Sequence, residues 1–561
     1  MCLCALCLMT SLTACKSEET FNWSQLSSVT PTATPAPSAE SAVLDVFMPT
    51  ASGDFDPYTN PSQSMQGLMK LCYESVVRLD DRYQPQNWLA ESIRKIEDGY
   101  EITLRSGVLF HDGKGLTAAD VEAAFDAISA AEESPWKDTV APLKSVQADG
   151  ERTVIVKTDA GYQALYALTF PIVNKDSEGS WAAGTGPYQV TAYAEGASMD
   201  FVRWDGWWRT PAQIPAIHAI AREDAEAMLN TFVTGSLDVC AVDMLTVSSV
   251  KQRSYVKKQE YLTGQAELLL PNLGGTLGDA RLRRVVALAL DKKDVVANTY
   301  QNHGVAVDVP VLPDSWLAER TSDVEHDAQQ AADILRQLGW EDLDGDGFVE
   351  RRMTHPETAQ PDDADEQEQS LEDALQDADN SEVLGGLLGM DTDDAQQSAT
   401  ETLHLTILTN EEDSSLHKDA AGRIAQQLNA AGIETSIEAV PFRKLQSAVE
   451  EGDWDLLLVG YQLPDTGDLS SLLSTGGENN RMGYSSAAMD AALQAVEAAQ
   501  TQETYYAAMQ QVYDLILQDM PLYTVCMRTR TQVAAETVSV SGIIRPGEPY
   551  RGIEYWTNME P

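Results

Sequence analysis

DARLRRVVALALDKKDVV, residues 279–296, reads as two helices meeting at a joint. From Arg281 to Leu290, residues Leu282, Val285, Val286, Leu288 and Ala289 fall on one side at helical spacing. Asp291 carries the short acceptor side chain that caps the start of a following helix. Taken alone, this is the pattern of a buried helix pair. The residues before it add to that. ELLLPNLGG, residues 267–275, is an extended run broken by Pro271 and two glycines. An extended crossing that opens onto a fresh helical core is the pattern of a passage between two lobes.

The chain has 561 residues, too many for one hydrophobic core, so two or three domains are expected. Its 43% hydrophobic and 22% charged content is that of a globular protein. The formal net charge of -49 speaks against nucleic acid as a partner and against electrostatic docking on anionic lipid. Of the seven cysteines, Cys2, Cys4, Cys7 and Cys15 crowd the N-terminus. Cys72, Cys240 and Cys526 are scattered and read as buried thiols.

Residues 1–14 are apolar and uncharged, as a secretory leader is, and Leu12-Thr13-Ala14 runs directly into Cys15. That junction resembles a bacterial lipobox, which implies cleavage before Cys15 and lipidation of its thiol. Residues 15–40 are rich in Ser, Thr, Pro and Ala and suit a flexible tether. The leader lacks the basic start of a signal peptide, as expected if translation begins upstream. No later stretch offers the ~20 apolar residues needed to span a bilayer. The body is expected outside the cytoplasm, held at the membrane by lipid.

Along the body, 41–49 reads as a strand and 64–79 as a helix. Ser92–Ile96 and Tyr100–Leu104 read as a hairpin about Asp98-Gly99. Thr117 and Asp120 form a capping-box pattern that opens a helix burying Val121, Ala124, Phe125 and Ile128. Trp204, Trp207 and Trp208 are expected to be mainly structural. Strands at 403–409, 434–440 and 453–462 alternate with helices, the grammar of a parallel sheet. Residues 354–400 are acidic and lack Lys and Arg, so they read as a disordered insertion extended by self-repulsion.

No nucleophile elbow, zinc-protease motif or phosphate loop is present. DLDGDGFVE, 342–350, places Asp342, Asp344, Asp346 and Gly347 as in a calcium loop. Met353 occupies the position that needs a bidentate Glu, so a tight Asp/Gly turn is expected, with no metal and no cofactor.

Several blocks together resemble the bacterial extracellular solute-binding proteins of family 5, the oligopeptide- and dipeptide-binding components of ABC importers. They are DFDP at 54–57, LRSGVLFHDGKGLTAADVEAAF at 104–125, GTGPY at 184–188, LRRVVALALDKKDVV at 282–296, AADILRQLGWEDLDGDG at 331–347 and DWDLLLVGYQ at 453–462. The resemblance implies an α/β, two-lobe periplasmic-binding-protein-like fold with an inserted α+β subdomain. The first lobe would comprise 41–80, 183–274 and 527–561, the subdomain 81–182, and the second lobe 275–526. Crossings near Pro271-Asn272 and near Cys526 would join the lobes, with ligand held between them. In the family, an Asp shortly after the strand matching DLLLVGYQ anchors the amine of a peptide. Counted from Gly460, Pro464 holds that place, and Asp465 is its expected counterpart, with Asp468 beyond. The resemblance further implies ligand contacts from Asp56, Tyr58, Gly460, Tyr461, Gln462, Asn480 and Arg481.

The function this implies is capture of peptides by a monomer and their delivery to a membrane permease, with no catalytic residue. Another solute such as a sugar or nickel, an extracellular hydrolase using cleft carboxylates, and a peptide sensor or chaperone are the alternatives.

Overall fold

A computed structural model describes residues 43–178, 181–243, 256–318, 324–353, 400–411 and 416–558. The expected leader, the lipidation site Cys15, the tether and the acidic insertion up to residue 399 lie outside the described residues.

The body opens with β1 (Leu44–Pro49), buried at alternate positions. The helix that follows, Gln63–Met69, is much shorter than the 64–79 expected from apolar spacing. Leu68, Leu71, Cys72, Val76 and Leu79 are all buried, as that spacing demands. The helix nevertheless stops, because the carbonyls of Leu71 and Cys72 accept the N–H groups of Tyr188 (3.1 Å) and Gly186 (2.8 Å) instead of continuing a helical ladder. Gly184 and Gly186 permit that approach, since a Cβ on either would collide with the Cys72 carbonyl. The chain then extends into β2 (Val77–Leu79), paired with β3 (Pro85–Asn87).

A small antiparallel sheet follows, made of β4 (Ala90–Ile96), β5 (Gly99–Leu104), β6 (Ser145–Ala148) and β7 (Thr153–Lys157) in the order β4-β5-β7-β6. The helix Ala118–Ala130 starts on the expected capping box of Thr117 and Asp120 and shares a core with Ile102, Val154 and Phe170. His111 ties this unit to the glycine turn of the larger sheet. Its Nδ1 accepts the Gly184 N–H (3.3 Å), and its Nε2–H donates to the Gly186 carbonyl (3.0 Å). Burial pushes the imidazole down to about 4.

Among the described residues the large sheet has eleven strands. Its first-half members are β1, β8 (Tyr188–Ala194), β9 (Ser198–Arg203), β10 (Ala216–Arg222) and β11 (Val239–Val242). Next comes the long β12 (Val256–Pro271), followed by the two-residue β13 (Gly304–Val305). A separate ribbon, β14 (Glu350–Arg352) with β15 (Thr400–Thr402), flanks the acidic run. The second half contributes β16 (His404–Asn410), β17 (Glu434–Val440) and β18 (Leu456–Gln462), and the chain returns along β19 (Tyr523–Ala535). The order is β17-β16-β18-β12-β19-β11-β1-β10-β9-β8, with β13 beside β19. β16 pairs parallel with both β17 and β18, the parallel βαβ pattern expected for this segment.

Among the described strands, only β12 and β19 reach both halves. β12 pairs with β19 from Val256–Ala535 to Leu262–Thr529, then resumes at Ala266–Met527 after a bulge. From Gln265 onward its other edge holds β18. β19 in turn pairs with β11 from Thr531 to Ala534. Gly264 sits in the bulge at φ +79°, a left-handed conformation that glycine adopts without a steric penalty. Beyond β12 the helices Ala280–Ala289 and Lys292–Asn298 form as read, with the Asp291 carboxylate accepting the Asp294 N–H at 3.0 Å.

The neutral, half-buried His111 couples stability to acid. The folded ring stays unprotonated while the unfolded ring takes a proton below about pH 6.5, so stability present above that pH is lost as pH falls towards the folded value near 4. The expected loss is roughly 1.4 kcal/mol per pH unit across that window. Thermal melts should show a smaller drop between neutral pH and pH ~5 in His111→Gln than in the parent, in keeping with that slope. Equal drops would reject the assignment.

Candidate functional site

A cavity of about 820 Å³ opens where three parts of the chain meet, a size ordinary for a small-ligand site. One wall comes from 66–88 and 548–554, a second from 136–171 of the small-sheet unit, and a third from 461–479, the end of β18 and the loop after it. Trp88, Trp136, Trp207, Tyr166, Tyr461 and Tyr550 supply aromatic surface.

β18 brings the third wall into place. Its pairing with β16 ends at Leu457, whereas its pairing with β12 continues to Gln462. Among the described strands, the edge of Val459–Gln462 that faces away from β12 therefore has no partner, and Gly460 and Gln462 are exposed. The loop that follows is pinned at several points. Leu463 donates its N–H to the Gly264 carbonyl (3.0 Å), Gly467 to that of Pro464 (2.9 Å), and the Tyr505 hydroxyl to that of Thr466 (2.9 Å). Asp465 projects from this loop with no hydrogen bond or ion pair to any described residue. Its side chain is open to the cavity, yet the walls exclude enough bulk solvent to push its carboxyl above the usual range. Arg545 and Lys70 pull it back, and Glu548 adds to the rise. Asp468 is engaged by the Ser470 N–H (2.9 Å) and by the Gln163 amide (3.1 Å), which reaches across from the small-sheet unit.

The first wall is an ion-pair chain. Lys70 and Arg551 both bind Glu548, at 2.9 and 3.0 Å, Arg551 also reaches Asp81 at 3.0 Å, and Arg78 lies 3.7 Å from Glu554. Burial alone would raise the Glu548 carboxyl, but Lys70, Arg551, Arg78 and Arg545 together hold it well below its ordinary value. Behind them lies Glu74, 7% exposed. It accepts the indole N–H of Trp88 (2.7 Å), Trp208 (2.8 Å) and Trp207 (3.3 Å), and the Thr185 hydroxyl at 2.8 Å. Burial raises its pKa and those four donors oppose the rise. Trp207 and Trp208 thus carry the structural role as read, and Trp207 also lines the cavity. Arg545, 4% exposed, stacks 3.6 Å from the Tyr83 ring centroid, and its Nε and Nη2 have no hydrogen-bond partner among the described residues.

Of the residues singled out from the sequence, Tyr461, Gln462 and Asp465 line the cavity. Gly460 lies on β18 opposite Glu267 of β12, outside the lining side chains. Asp56 and Tyr58 also lie outside the lining, where Tyr58 ties their loop to the small-sheet unit. The Asp56 carboxylate accepts the Tyr58 N–H (2.8 Å), and the Tyr58 hydroxyl accepts the Val173 N–H (3.3 Å). Asn480 staples its own loop through Ser474 and Tyr484, and Arg481 is exposed away from the lining, while their neighbours Glu478 and Asn479 do line it. Sequence reasoning missed Lys70, Glu74, Glu548 and Arg551, because partners hundreds of positions apart carry no local signal.

Elsewhere the Asp/Gly turn takes the expected form. Asp342 accepts the N–H groups of Gly345 (2.6 Å) and Gly347 (3.2 Å), and the buried Glu350 accepts that of Leu343 (2.8 Å). The carboxylates of Asp342, Asp344 and Glu350 converge within 4.8 Å. Cys72, Cys240 and Cys526 are buried free thiols, as read. No helix among the described residues is long and apolar enough to cross a membrane.

The profile of the bacterial extracellular solute-binding proteins, family 5 (middle), matches residues 84–483, more than half of the chain. The chain belongs to this family. Among family 5 relatives, the oligopeptide-binding protein AppA of Bacillus subtilis is 21% identical over 485 residues, covering 81% of this chain and 80% of AppA. The structure of that AppA in complex with a nonapeptide aligns with a TM-score of 0.59 at 19% identity, over 92% of this chain and 99% of AppA. A nickel ABC transporter structure from Bacillus halodurans aligns at 0.72 and 19% identity, over 91% and 98%. These likenesses establish the two-lobe α/β family 5 fold, and the relatives are named as binding or transport proteins rather than enzymes.

Within this family 5 cavity, Glu74 is a structural anchor. Glu74→Leu would leave three indole N–H groups and a hydroxyl unpaired, which should lower stability by about 3 kcal/mol. Urea denaturation followed by tryptophan emission would show it. A loss below about 1 kcal/mol would mean that water replaces the carboxylate.

Proposed function

We propose that this protein captures short peptides in the cavity and delivers them to the permease of an ABC importer, working outside the cytoplasm as a monomer held at the membrane through lipidated Cys15. The observation that carries the peptide reading is the unpaired edge of β18 at Val459–Gln462, beside an unpaired carboxylate at Asp465. An extended ligand can add to such an edge through main-chain hydrogen bonds, which give affinity without reading side chains. Its free amine then meets Asp465, and a cationic partner offsets the solvent exclusion that now raises that carboxyl. The name of AppA supports the same ligand class.

In this reading the first lobe carries β1 and β8 to β11, the second carries β16 to β18, and the bulges of β12 and β19 form the hinge between them. Closure about that hinge buries the ligand and gives a permease a distinct shape to recognise. No step here needs a catalytic group.

Native mass spectrometry of the purified protein, followed by denaturation and identification of what is released, tests the class. A mixture of short intact peptides is the expected result. A single non-peptide solute or a metal complex would keep the fold and overturn the substrate, and cleaved products would favour a hydrolase. Asp465→Asn should weaken peptide binding at least tenfold, about 1.4 kcal/mol or more, in a calorimetric titration. Its unfolding midpoint should not fall, because the carboxylate it replaces is held against its own solvation.

A further inference from the structure

Among the described residues, every cation that lines the cavity is already neutralised by the protein. Lys70 is bound to Glu548, Arg551 to Glu548 and Asp81, and Arg78 to Glu554. Of the lining carboxylates, Glu74 is saturated by three indoles and a hydroxyl, and Asp468 by Ser470 and Gln163. Three acids remain without any such partner among the described residues: Asp465, Glu478 and Asp138. They come from different walls. Asp465 and Glu478 follow β18, and Asp138 belongs to the small-sheet unit on another side of the space. Arg545 stands behind Tyr83 and does not reach the lining.

One amine end of a peptide satisfies one of these carboxylates. The other two line the same cavity at exposed positions, where they would attract a cationic group through charge that salt partly screens. Aromatic rings line the same space, Trp136 and Tyr461 among them. A carboxylate next to an aromatic face suits the ammonium or guanidinium of a long side chain, whose methylenes pack on the ring while its charge is paired. An acidic side chain would find no free cation in the described lining and would meet like charge.

We infer that the cavity selects peptides bearing Lys or Arg side chains in addition to the free amine, and discriminates against acidic ones, with Asp138 and Glu478 as the specificity-determining carboxylates. This rests on the peptide reading above and narrows its substrate class.

The test is calorimetric titration of the ligand-stripped protein with Ala-Lys-Ala, Ala-Ala-Ala and Ala-Glu-Ala, at low and at high salt. At low salt the Lys peptide should bind at least about tenfold more tightly than the Ala peptide, and the Glu peptide at least about tenfold more weakly. High salt should narrow that spread, and so should the Asp138→Asn/Glu478→Gln double variant, while affinity for Ala-Ala-Ala changes much less. Equal affinities for the three peptides, or a preference for the Glu peptide, would overturn the charge selection and leave peptide capture standing. Binding of none of the three would remove the peptide reading and this inference with it. The salt comparison uses the unmodified protein, so its outcome does not depend on the variant folding.

Discussion

The antiparallel ladder between β12 and β19 is the interaction on which the rest of the molecule depends. Of the large sheet's described strands, only these two reach both halves. Near Ala535 they hold the β11 side, and near Pro271 they carry β18. The bulges between lie where the sheet changes company, at Leu262–Ala266 and Glu267–Leu268. Ladder hydrogen bonds resist shear along the strands but yield where residues are left unpaired, so a bulge localises bending. Glu267, fully buried beside the second bulge, accepts from His417 at 2.7 Å and faces Arg528 at 3.6 Å. These contacts join β12 to β19 and to the helix that carries His417, close to the second bulge.

The cavity follows from that ladder and from one aromatic contact. Tyr162, Tyr166, Trp316 and Tyr505 pack edge-to-face or tilted at centroid distances near 6 Å, and the Trp316 indole donates to the Tyr166 hydroxyl at 3.2 Å. This brings the small-sheet unit against the far half. The contact closes one side of the space, and β2 with its neighbours closes another. Each aromatic pair contributes about 1 kcal/mol beyond its buried area. That is enough to favour one arrangement, and small enough for ligand binding to compete with it.

Much of the architecture was legible because local chemistry and global fold agree. Thr117 and Asp120 cap a helix wherever they meet, and Asp291 does the same. The alternation of strands and helices from 403 to 462 announces parallel pairing, and the order of motifs leads to the family. Where local and distant chemistry compete, reading failed. The apolar spacing from Leu68 to Leu79 is real, but Gly186 and Tyr188 claim the carbonyls that a helix would need. Asp465 was legible through its distance from Gly460, and its surroundings were not. Lys70 and Glu548 are 478 positions apart, and three tryptophans found their shared carboxylate only in space. Asp56, Tyr58 and Asn480 belong to loops that adjoin the cavity walls, and there their polar groups satisfy backbone rather than face the cavity.

The two ends of the described chain meet. The Asn558 amide donates to the Val43 carbonyl at 3.2 Å, beside the sheet that β1 enters. Neighbouring ends make the body topologically a ring with one gap. A short linker from 558 to 43 would close it, and the chain could then be opened anew at an exposed turn such as Gly345–Gly347 without disturbing the two crossing strands. Such a rearranged chain would carry its new ends in the half that holds β16 to β18, giving a handle there for a fluorophore or surface attachment.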